Sequence, residues 1–149
     1  MNLIIVGGAG YIGGHIVLDV LERGYKTTVF DDLSTGSVKN INKDVKFIKG
    51  TTLSTSDLSD IFESNSFDCV IQLAASKASR ESMLRPSKYA TNNVIASLNL
   101  INNCATHGVK SFIFSSSAAV YGAPEYTPID ESHPLVPNNY YGHPYQINN

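Results

Sequence analysis

The hydrophobic residues of the chain occur in short continuous runs, separated by stretches in which apolar and polar positions repeat with a helical period. Short apolar runs are typical of strands that are buried on both faces of a sheet. They predict strands at residues 3–6, 26–30, 45–48, 68–73 and 111–114. The helical period predicts helices at residues 11–23, 57–62 and 86–107. Gly24 and Gly108 stand where the first and last of these helices should end.

Strands that alternate with helices indicate βαβ units and therefore a mostly parallel sheet. Because such crossovers are right-handed, we expect an α/β fold with a doubly wound, Rossmann-like sheet of about five strands. Residues 1–122 carry this pattern and are expected to form one domain. Residues 123–149 contain no lysine or arginine and show no clear helix or strand pattern. We expect them to form a loop-like tail.

Composition restricts the class of protein and its partners. With 42% hydrophobic and 16% charged residues, the 149-residue chain is expected to be globular. Its net charge of −2 gives no electrostatic reason to expect a nucleic acid or an anionic membrane as partner. Cys69 and Cys104 fit neither a disulfide framework nor a zinc spacing. We therefore expect two reduced thiols, no metal and a cytoplasmic location.

A glycine-rich turn connects the first predicted strand to the first predicted helix. It reads Gly7-Gly8-Ala9-Gly10-Tyr11-Ile12-Gly13 and contains both the G-x-G-x-x-G and the G-x-x-G-x-x-G spacing. Glycines permit a tight turn and let the backbone approach a pyrophosphate, to which the helix N-terminus offers unpaired N–H groups. A glycine string alone is weak evidence. This one follows a strand and opens a helix, which is the context of a dinucleotide-binding turn.

Asp31 stands at the end of the second predicted strand, 18 residues after Gly13. An acid in this region accepts hydrogen bonds from the ribose hydroxyls of adenosine. The 2′-phosphate of NADP would meet two carboxylates, those of Asp31 and Asp32, with no arginine nearby in the sequence. We therefore predict a site for NAD and not for NADP. The alternative is that Asp31 is a solvated acid at a strand end.

Four stretches together resemble the extended short-chain dehydrogenase/reductase family, and within it the UDP-glucose 4-epimerases. They are the glycine turn with Asp31-Asp32-Leu33-Ser34-Thr35-Gly36, then Leu73-Ala74-Ala75-Ser76-Lys77-Ala78 with Glu81-Ser82 and Pro86, then Asn92-Asn93-Val94, and then Phe114-Ser115-Ser116-Ser117-Ala118-Ala119-Val120-Tyr121-Gly122. They occur in the family's order over nearly the whole chain. The resemblance implies NAD as cofactor and the interconversion of UDP-glucose and UDP-galactose through a 4-keto intermediate.

The resemblance also implies which residues form the site. It assigns to the cofactor Gly7, Gly10, Tyr11, Ile12, Gly13, Asp31, Asp32, Leu33, Ser34, Thr35, Gly36, Leu73, Ala74, Ala75, Lys77 and Asn92. It places Lys77 near the nicotinamide ribose and the sugar-nucleotide. Ser117 would hydrogen-bond the 4′-hydroxyl of the sugar, and Tyr141 would be the catalytic base. The alternatives are a surface lysine for Lys77, a polar helix residue for Asn92 and a loop hydroxyl for Ser117.

The chain departs from the family at the catalytic motif, Tyr-x-x-x-Lys, in which the lysine favours the phenolate. Tyr145 stands four residues after Tyr141, and no lysine or arginine follows Lys110. Pro144 is expected to break the helix that begins there in the family. The chain also has no residues for the family's remaining strands or its substrate domain. We interpret it as a truncated or degenerate epimerase that keeps an NAD site without turnover.

Three other hypotheses remain. The chain is a working epimerase, a related nucleotide-sugar dehydratase or reductase, or a non-enzymatic module that reuses the fold. A dehydratase usually carries an acid pair near the serine stretch, and Ser117-Ala118-Ala119 offers none. Whether the chain is an enzyme therefore stays open. NAD is the expected partner, with a UDP-sugar bound only weakly. Apolar residues of the long helix and an unpaired fifth strand predict a homo-oligomer.

Overall fold

A computed structural model describes residues 1–144 of the chain. Its five strands are β1 (Asn2–Val6), β2 (Lys26–Asp31), β3 (Lys46–Lys49), β4 (Cys69–Gln72) and β5 (Ser111–Phe114). They pair in parallel in the order β3-β2-β1-β4-β5. The predicted Rossmann-like α/β sheet is confirmed. Its strand order reverses between β1 and β4, and ligands of such sheets bind outside the carboxyl ends of the strands at this point.

Both faces of the sheet are covered, which explains why its central strands are continuous apolar runs. Alternate residues such as Ile4 and Val70 pack with helices α2 (Thr55–Glu63) and α5 (Ala96–Thr106). The intervening residues, such as Ile5, pack on the other face with helix α1 (Tyr11–Glu22). Ile4 and Ile5 have no exposed surface.

Helices α1 and α5 end at glycines, as predicted. Gly24 has φ +77° and Gly108 has φ +67°, a backbone conformation that other residues rarely adopt. At the first of these ends Tyr25 N–H donates to the carbonyl of Val20 at 3.0 Å. The matching bond forms after Gly108. Both ends are Schellman motifs, which satisfy carbonyls that the helix itself leaves unpaired.

The helix predicted over residues 86–107 is interrupted. Two short helices, α3 (Ser79–Leu84) and α4 (Pro86–Tyr89), are followed by a π-helix at Ala90–Ile95 and only then by α5. π-Helices are rare and occur frequently at functional sites. Here the π-helix coincides with side-chain hydrogen bonds from two successive asparagines to a single loop residue, contacts that a hydrophobic period does not reveal.

Contacts divide the chain into two compact units. The first comprises Met1–Ala74 and Ala96–Ser115 and contains the whole sheet with α1, α2 and α5. The second comprises Ala75–Ile95 and the chain from Ser116 onward. Residues 75–95 thus belong to the same unit as the later part of the chain, and the expected boundary after residue 122 stays a prediction.

The described part of the tail, residues 123–144, is largely irregular. A 3-10 helix forms at Ala118–Val120, and residues 123–141 contain neither helix nor strand. Residues 142–144 are helical, so the expectation that Pro144 prevents a helix here is wrong. Pro144 lies in the first helical turn, where an N–H has no intrahelical acceptor and its loss costs no hydrogen bond. Tyr145 lies outside the described residues. In residues 1–144 no helix is long and apolar enough to cross a bilayer.

Candidate functional site

The glycine turn follows β1 and leads into α1. Gly7 has φ +84°, and a Cβ built on it would lie 2.6 Å from the Ala74 nitrogen. A Cβ on Gly13 would lie 2.4 Å from the Gly7 carbonyl oxygen. Both distances are far below van der Waals contact, so neither position has room for a side chain. The turn therefore exposes bare backbone at the carboxyl end of β1.

Helix α1 begins without a cap of its own. Its N-cap residue, Gly10, has no side chain to accept an N–H bond, and the first turn contains no acid. Tyr11 and Ile12 are 78% and 62% exposed. The first-turn N–H groups and the positive end of the helix dipole are therefore not neutralised by the helix itself. This arrangement suits an anion such as a pyrophosphate.

Asp31 ends β2 and is only 9% exposed. One carboxylate oxygen accepts the Ala9 N–H at 2.9 Å, and the other accepts the Leu33 N–H at 2.8 Å. The carboxylate thus connects the glycine turn to the loop that follows β2. Because a carboxylate accepts about four hydrogen bonds, capacity remains for ribose hydroxyls. The ligand role of Asp31 stays a prediction, and its hydrogen bond to the turn was not predicted from the sequence.

The loop after β2 lies against Ala9. A Cβ on Gly36 would come within 2.9 Å of the Ala9 side chain, so only glycine fits there. The Ala9 carbonyl accepts two hydrogen bonds, from Ser37 N–H at 3.0 Å and from Asn40 Nδ2 at 2.8 Å. Asn40 was not predicted, because no spacing rule connects a loop amide to a carbonyl 31 residues earlier.

The other residues expected around the adenosine form a local turn. Asp32 is exposed and accepts the Ser34 N–H at 2.8 Å, while Thr35 is also exposed. Leu33 has φ +62°, which is uncommon for a residue with a side chain and indicates a tightly determined backbone. The loop is therefore shaped by main-chain contacts, with its polar side chains open to solvent.

β4 continues beyond its last strand residue towards the turn. Leu73 N–H donates to the Val6 carbonyl at 2.8 Å, and Ala74 lies directly beside Gly7. Leu73 and Ala74 are half-buried, whereas Ala75 is exposed and belongs to the second unit. The first unit thus brings together the glycine turn, Asp31 and the end of β4.

In the second unit, two asparagines of the π-helix contact Ser76. Asn93 accepts the Ser76 N–H at 2.8 Å through Oδ1 and donates to the Ser76 carbonyl at 2.9 Å through Nδ2. Asn92 donates to Ser76 Oγ at 2.9 Å. Lys77, the next residue, is exposed. The role of Asn92 on the cofactor side stays a prediction, and in the structure its amide contacts Ser76.

Ser117 and Tyr141 lie on adjoining backbone segments of the second unit, and both are half-buried. Ser117 Oγ accepts the Ala119 N–H at 3.2 Å, which leaves its proton to donate. Gly142 packs on the same turn, because a Cβ there would lie 2.5 Å from the Ala119 carbonyl oxygen. Tyr141 is thereby held beside the turn that begins at Ser117.

The two thiols lie on β4 and α5, and both are buried. Burial raises the pKa of Cys104 to about 11, so this thiol stays protonated at neutral pH. Within residues 1–144 no cluster of three or more histidine, cysteine, aspartate or glutamate residues is placed to hold a metal ion.

Known proteins share this arrangement. A UDP-glucose 4-epimerase from Halalkalibacterium halodurans is 42% identical over 142 residues, which cover 95% of this chain and 42% of that protein. The crystal structure of UDP-glucose 4-epimerase from Brucella ovis in complex with NAD matches with a TM-score of 0.94 at 37% identity, covering 98% of this chain and 45% of that one. The enzyme from Bifidobacterium longum in complex with NAD+ and UDP matches with a TM-score of 0.93 at 33% identity, covering 99% and 46%.

The chain therefore spans less than half the length of these relatives, and the match includes nearly all of it. The model of the family described as NAD dependent epimerase/dehydratase matches residues 3–144. These residues include the glycine turn, Asp31, Ser117 and Tyr141. The chain belongs to the NAD dependent epimerase/dehydratase family.

Proposed function

We propose that the chain binds NAD and serves as the cofactor-binding part of a nucleotide-sugar 4-epimerase that interconverts UDP-glucose and UDP-galactose. The observation that carries the proposal is the backbone-lined turn at the sheet's switch point. There Gly7 and Gly13 have no room for a Cβ, and α1 starts without a cap or an acid. These features fit a pyrophosphate, and Asp31 beside the turn fits the adenosine ribose.

The binding roles are carried over from the family resemblance, residue by residue. In the first unit, the turn and the first residues of α1 bind the pyrophosphate, and the residues from Asp31 to Gly36 surround the adenosine. Leu73 and Ala74 line the path of the cofactor across the strand ends. In the second unit, we assign Ala75, Lys77 and Asn92 to the nicotinamide side. Bound NAD supplies reversible hydride acceptance from the sugar.

Selection of NAD over NADP follows from the way in which Asp31 is held. Each of its oxygens accepts a main-chain N–H, so the carboxylate is not able to rotate away from a 2′-phosphate. Two like charges at about 4 Å repel by roughly 4 kcal/mol at an effective dielectric constant of about 20. The exposed carboxylate of Asp32 lies beside it in sequence and adds to the repulsion.

The catalytic roles are assigned to Ser117 and Tyr141. Ser117 keeps a proton to donate to the 4′-hydroxyl oxygen, and Tyr141 would accept the proton of that hydroxyl as hydride leaves C4′. In the family that the chain resembles, a lysine four residues after this tyrosine favours the phenolate. In this chain Tyr145 stands at that position. We therefore propose that this chain binds the cofactor but does not turn over a UDP-sugar.

Thermal melting in the presence of NAD and NADP tests the binding proposal. NAD at one hundred times its dissociation constant is expected to stabilise the fold by about 2.7 kcal/mol. NADP at the same concentration is expected to stabilise it less. An unchanged melting temperature at millimolar NAD would refute the site, and equal shifts would refute the selectivity. Formation of UDP-glucose from UDP-galactose by the purified chain would refute the proposed lack of turnover.

We also propose that the chain self-associates. β5 is an edge strand of the sheet, and Ile113 on it is 53% exposed. On α5, Leu98 is 48% and Ile101 37% exposed. Apolar side chains grouped on one helix and an open strand edge are both features that soluble proteins usually cover.

A further inference from the structure

Lys77 is a cation without an ionic partner in the described part of the chain. The ion pairs among residues 1–144 join Arg23 to Asp19 and Lys88 to Glu81. Lys88, in the same unit as Lys77, approaches Glu81 within 2.8 Å. Lys77 is exposed and takes part in neither pair. Its charge therefore remains available to a ligand.

The residue before Lys77 is fixed through its main chain. Asn93 accepts the Ser76 N–H and donates to the Ser76 carbonyl, at 2.8 and 2.9 Å. Asn93 is only 3% exposed, so these bonds form away from competing water. One side chain thus satisfies both main-chain groups of Ser76.

The residue after Lys77 is fixed in the same manner by Tyr89, which is 1% exposed. The Tyr89 hydroxyl accepts the Ala78 N–H at 3.1 Å and donates to the Ala78 carbonyl at 2.7 Å. The Glu81 carboxylate lies 3.1 Å from the same hydroxyl. Burial raises the pKa of Tyr89, with the neighbouring Glu81 acting in the same direction, so the hydroxyl keeps the proton that it donates.

The main-chain N–H and carbonyl groups of Ser76 and Ala78 are therefore held by two buried side chains, Tyr89 at the end of α4 and Asn93 in the π-helix. Ordering a backbone costs conformational entropy. A lysine that is only solvated gains nothing from a fixed main chain that would offset this cost. The π-helix at Ala90–Ile95 is a second rare feature at the same place. The hydrogen bonds at Ser76 and Ala78 thus fix the main chain on both sides of Lys77, which is exposed.

We propose that Asn93 and Tyr89 are positioning residues, which fix the main chain of Lys77 so that its ammonium group is presented to the bound ligand. This inference rests on the proposed function, in which the ligand is NAD and Lys77 contacts its nicotinamide ribose. ADP carries the adenosine and the pyrophosphate but lacks that ribose. Loss of either positioning residue therefore weakens NAD binding and leaves ADP binding unchanged.

The test compares NAD and ADP affinities, measured by calorimetry, for Asn93→Asp and Tyr89→Phe. Asn93→Asp keeps the acceptor for Ser76 N–H but loses the donor to its carbonyl. Tyr89→Phe removes a single oxygen and preserves the packing, so it remains informative if the first variant does not fold. Both are expected to weaken NAD about tenfold, the effect of losing one favourable contact of 1.4 kcal/mol. The affinity for ADP should stay within about twofold of that of the unaltered chain, a much smaller change than the tenfold loss expected for NAD.

Two controls match these changes. Asn103→Asp alters an asparagine of α5 that donates to the Asn99 carbonyl, and Tyr25→Phe alters a half-buried tyrosine of the other unit. Neither should change the ratio of NAD to ADP affinity. Lys77→Met should reproduce the selective loss of NAD affinity. In the Lys77→Met background Asn93→Asp should cause no further loss, because its effect acts through Lys77.

Equal losses of NAD and ADP affinity, or a full additional loss in the Lys77→Met background, would show that Asn93 is merely structural and would overturn the inference. If the unaltered chain binds neither ligand, the proposed function is wrong. Hydrogen exchange of main-chain amides in the ligand-free protein then tests separately whether Asn93 and Tyr89 fix the main chain beside Lys77. Slow exchange at Ser76 and Ala78 that becomes at least tenfold faster in the variants supports it. Exchange as fast as in an unstructured peptide overturns it.

Discussion

Replacement of Asp31 by asparagine should destabilise the protein even without any ligand. The substitution keeps the shape of the side chain but exchanges one oxygen for an NH2 group. In the structure both oxygens accept main-chain N–H groups, from Ala9 at 2.9 Å and from Leu33 at 2.8 Å. Whichever way the new amide turns, its NH2 meets one of these donors. One N–H therefore loses its acceptor at a site that is 9% exposed.

The magnitude follows from the two bonds. A hydrogen bond to a charged group contributes about 1.5–3 kcal/mol, and a buried N–H left unpaired costs about 1–3 kcal/mol. These figures overlap, so we expect Asp31→Asn to lower the free energy of unfolding by about 2–4 kcal/mol. Asp32→Asn is the matched control. Asp32 is exposed, and asparagine retains the one acceptor that Ser34 N–H uses, so its cost should stay within about 0.5 kcal/mol.

Urea denaturation of the three proteins at one pH and salt concentration measures the difference. The transition midpoint of Asp31→Asn should fall while the slope of the unfolding free energy against urea stays constant, because the fold is unchanged. If Asp31→Asn is as stable as the unaltered protein or as Asp32→Asn, the carboxylate does not connect the turn to the loop. The argument for its fixed position against a 2′-phosphate would then fail as well.

Three further predictions concern other parts of the molecule. Gly13→Ala places a Cβ 2.4 Å from the Gly7 carbonyl oxygen. It should cost about 1–3 kcal/mol of stability and abolish NAD binding, with unimpaired binding counting against the turn as the site. Burial raises the pKa of Cys104 to about 11, above its value of about 8.5 in an unfolded chain. Because the folded protein holds this proton more tightly than the unfolded chain, the thiol stabilises the fold fully below pH ~8.5. The free energy of unfolding should fall by up to about 3 kcal/mol as the pH rises from ~8.5 towards 11. Urea denaturation at pH 8 and pH 10.5 should show a smaller loss of unfolding free energy at the higher pH in Cys104→Ala than in the unaltered protein. An equal loss in the two proteins would show that Cys104 is not its cause. Sedimentation at micromolar concentration should show self-association that Ile113→Lys reduces, whereas a single monomeric species of the unaltered chain would refute it.

Features set by local pattern could be predicted from the sequence. The apolar runs gave the five strands, because strands buried on both faces must be apolar, and their alternation with helices implied the parallel order. The glycines at the turn and at the two helix ends could be predicted to have structural roles, because each supplies a backbone geometry that other residues rarely adopt. The position of Asp31 beside the turn could be predicted because the intervening helix and strand fix its distance from the turn.

What the sequence did not reveal depends on contacts between distant polar residues. Asn40 reaches a carbonyl 31 residues away, and Asn93 reaches Ser76 17 residues away. An isolated asparagine carries no periodic signal, so neither pair could be inferred. The π-helix was missed for the same reason, since a hydrophobic period describes a regular helix. Pro144 was misjudged because proline opposes a helix interior but is accepted in a first turn.

The division of the chain into two discontinuous units limits how the protein can be dissected. The polypeptide passes from the first unit to the second after residue 74, returns at residue 96, and passes across again after residue 115. A single cut between residues 75 and 115 therefore leaves parts of both units on each fragment. To isolate the sheet, a genetic design must replace residues 75–95 with a linker and end the chain after β5. A truncation that ends between residues 75 and 115 would remove pieces of two units at once, and loss of folding in it would not report on either unit alone.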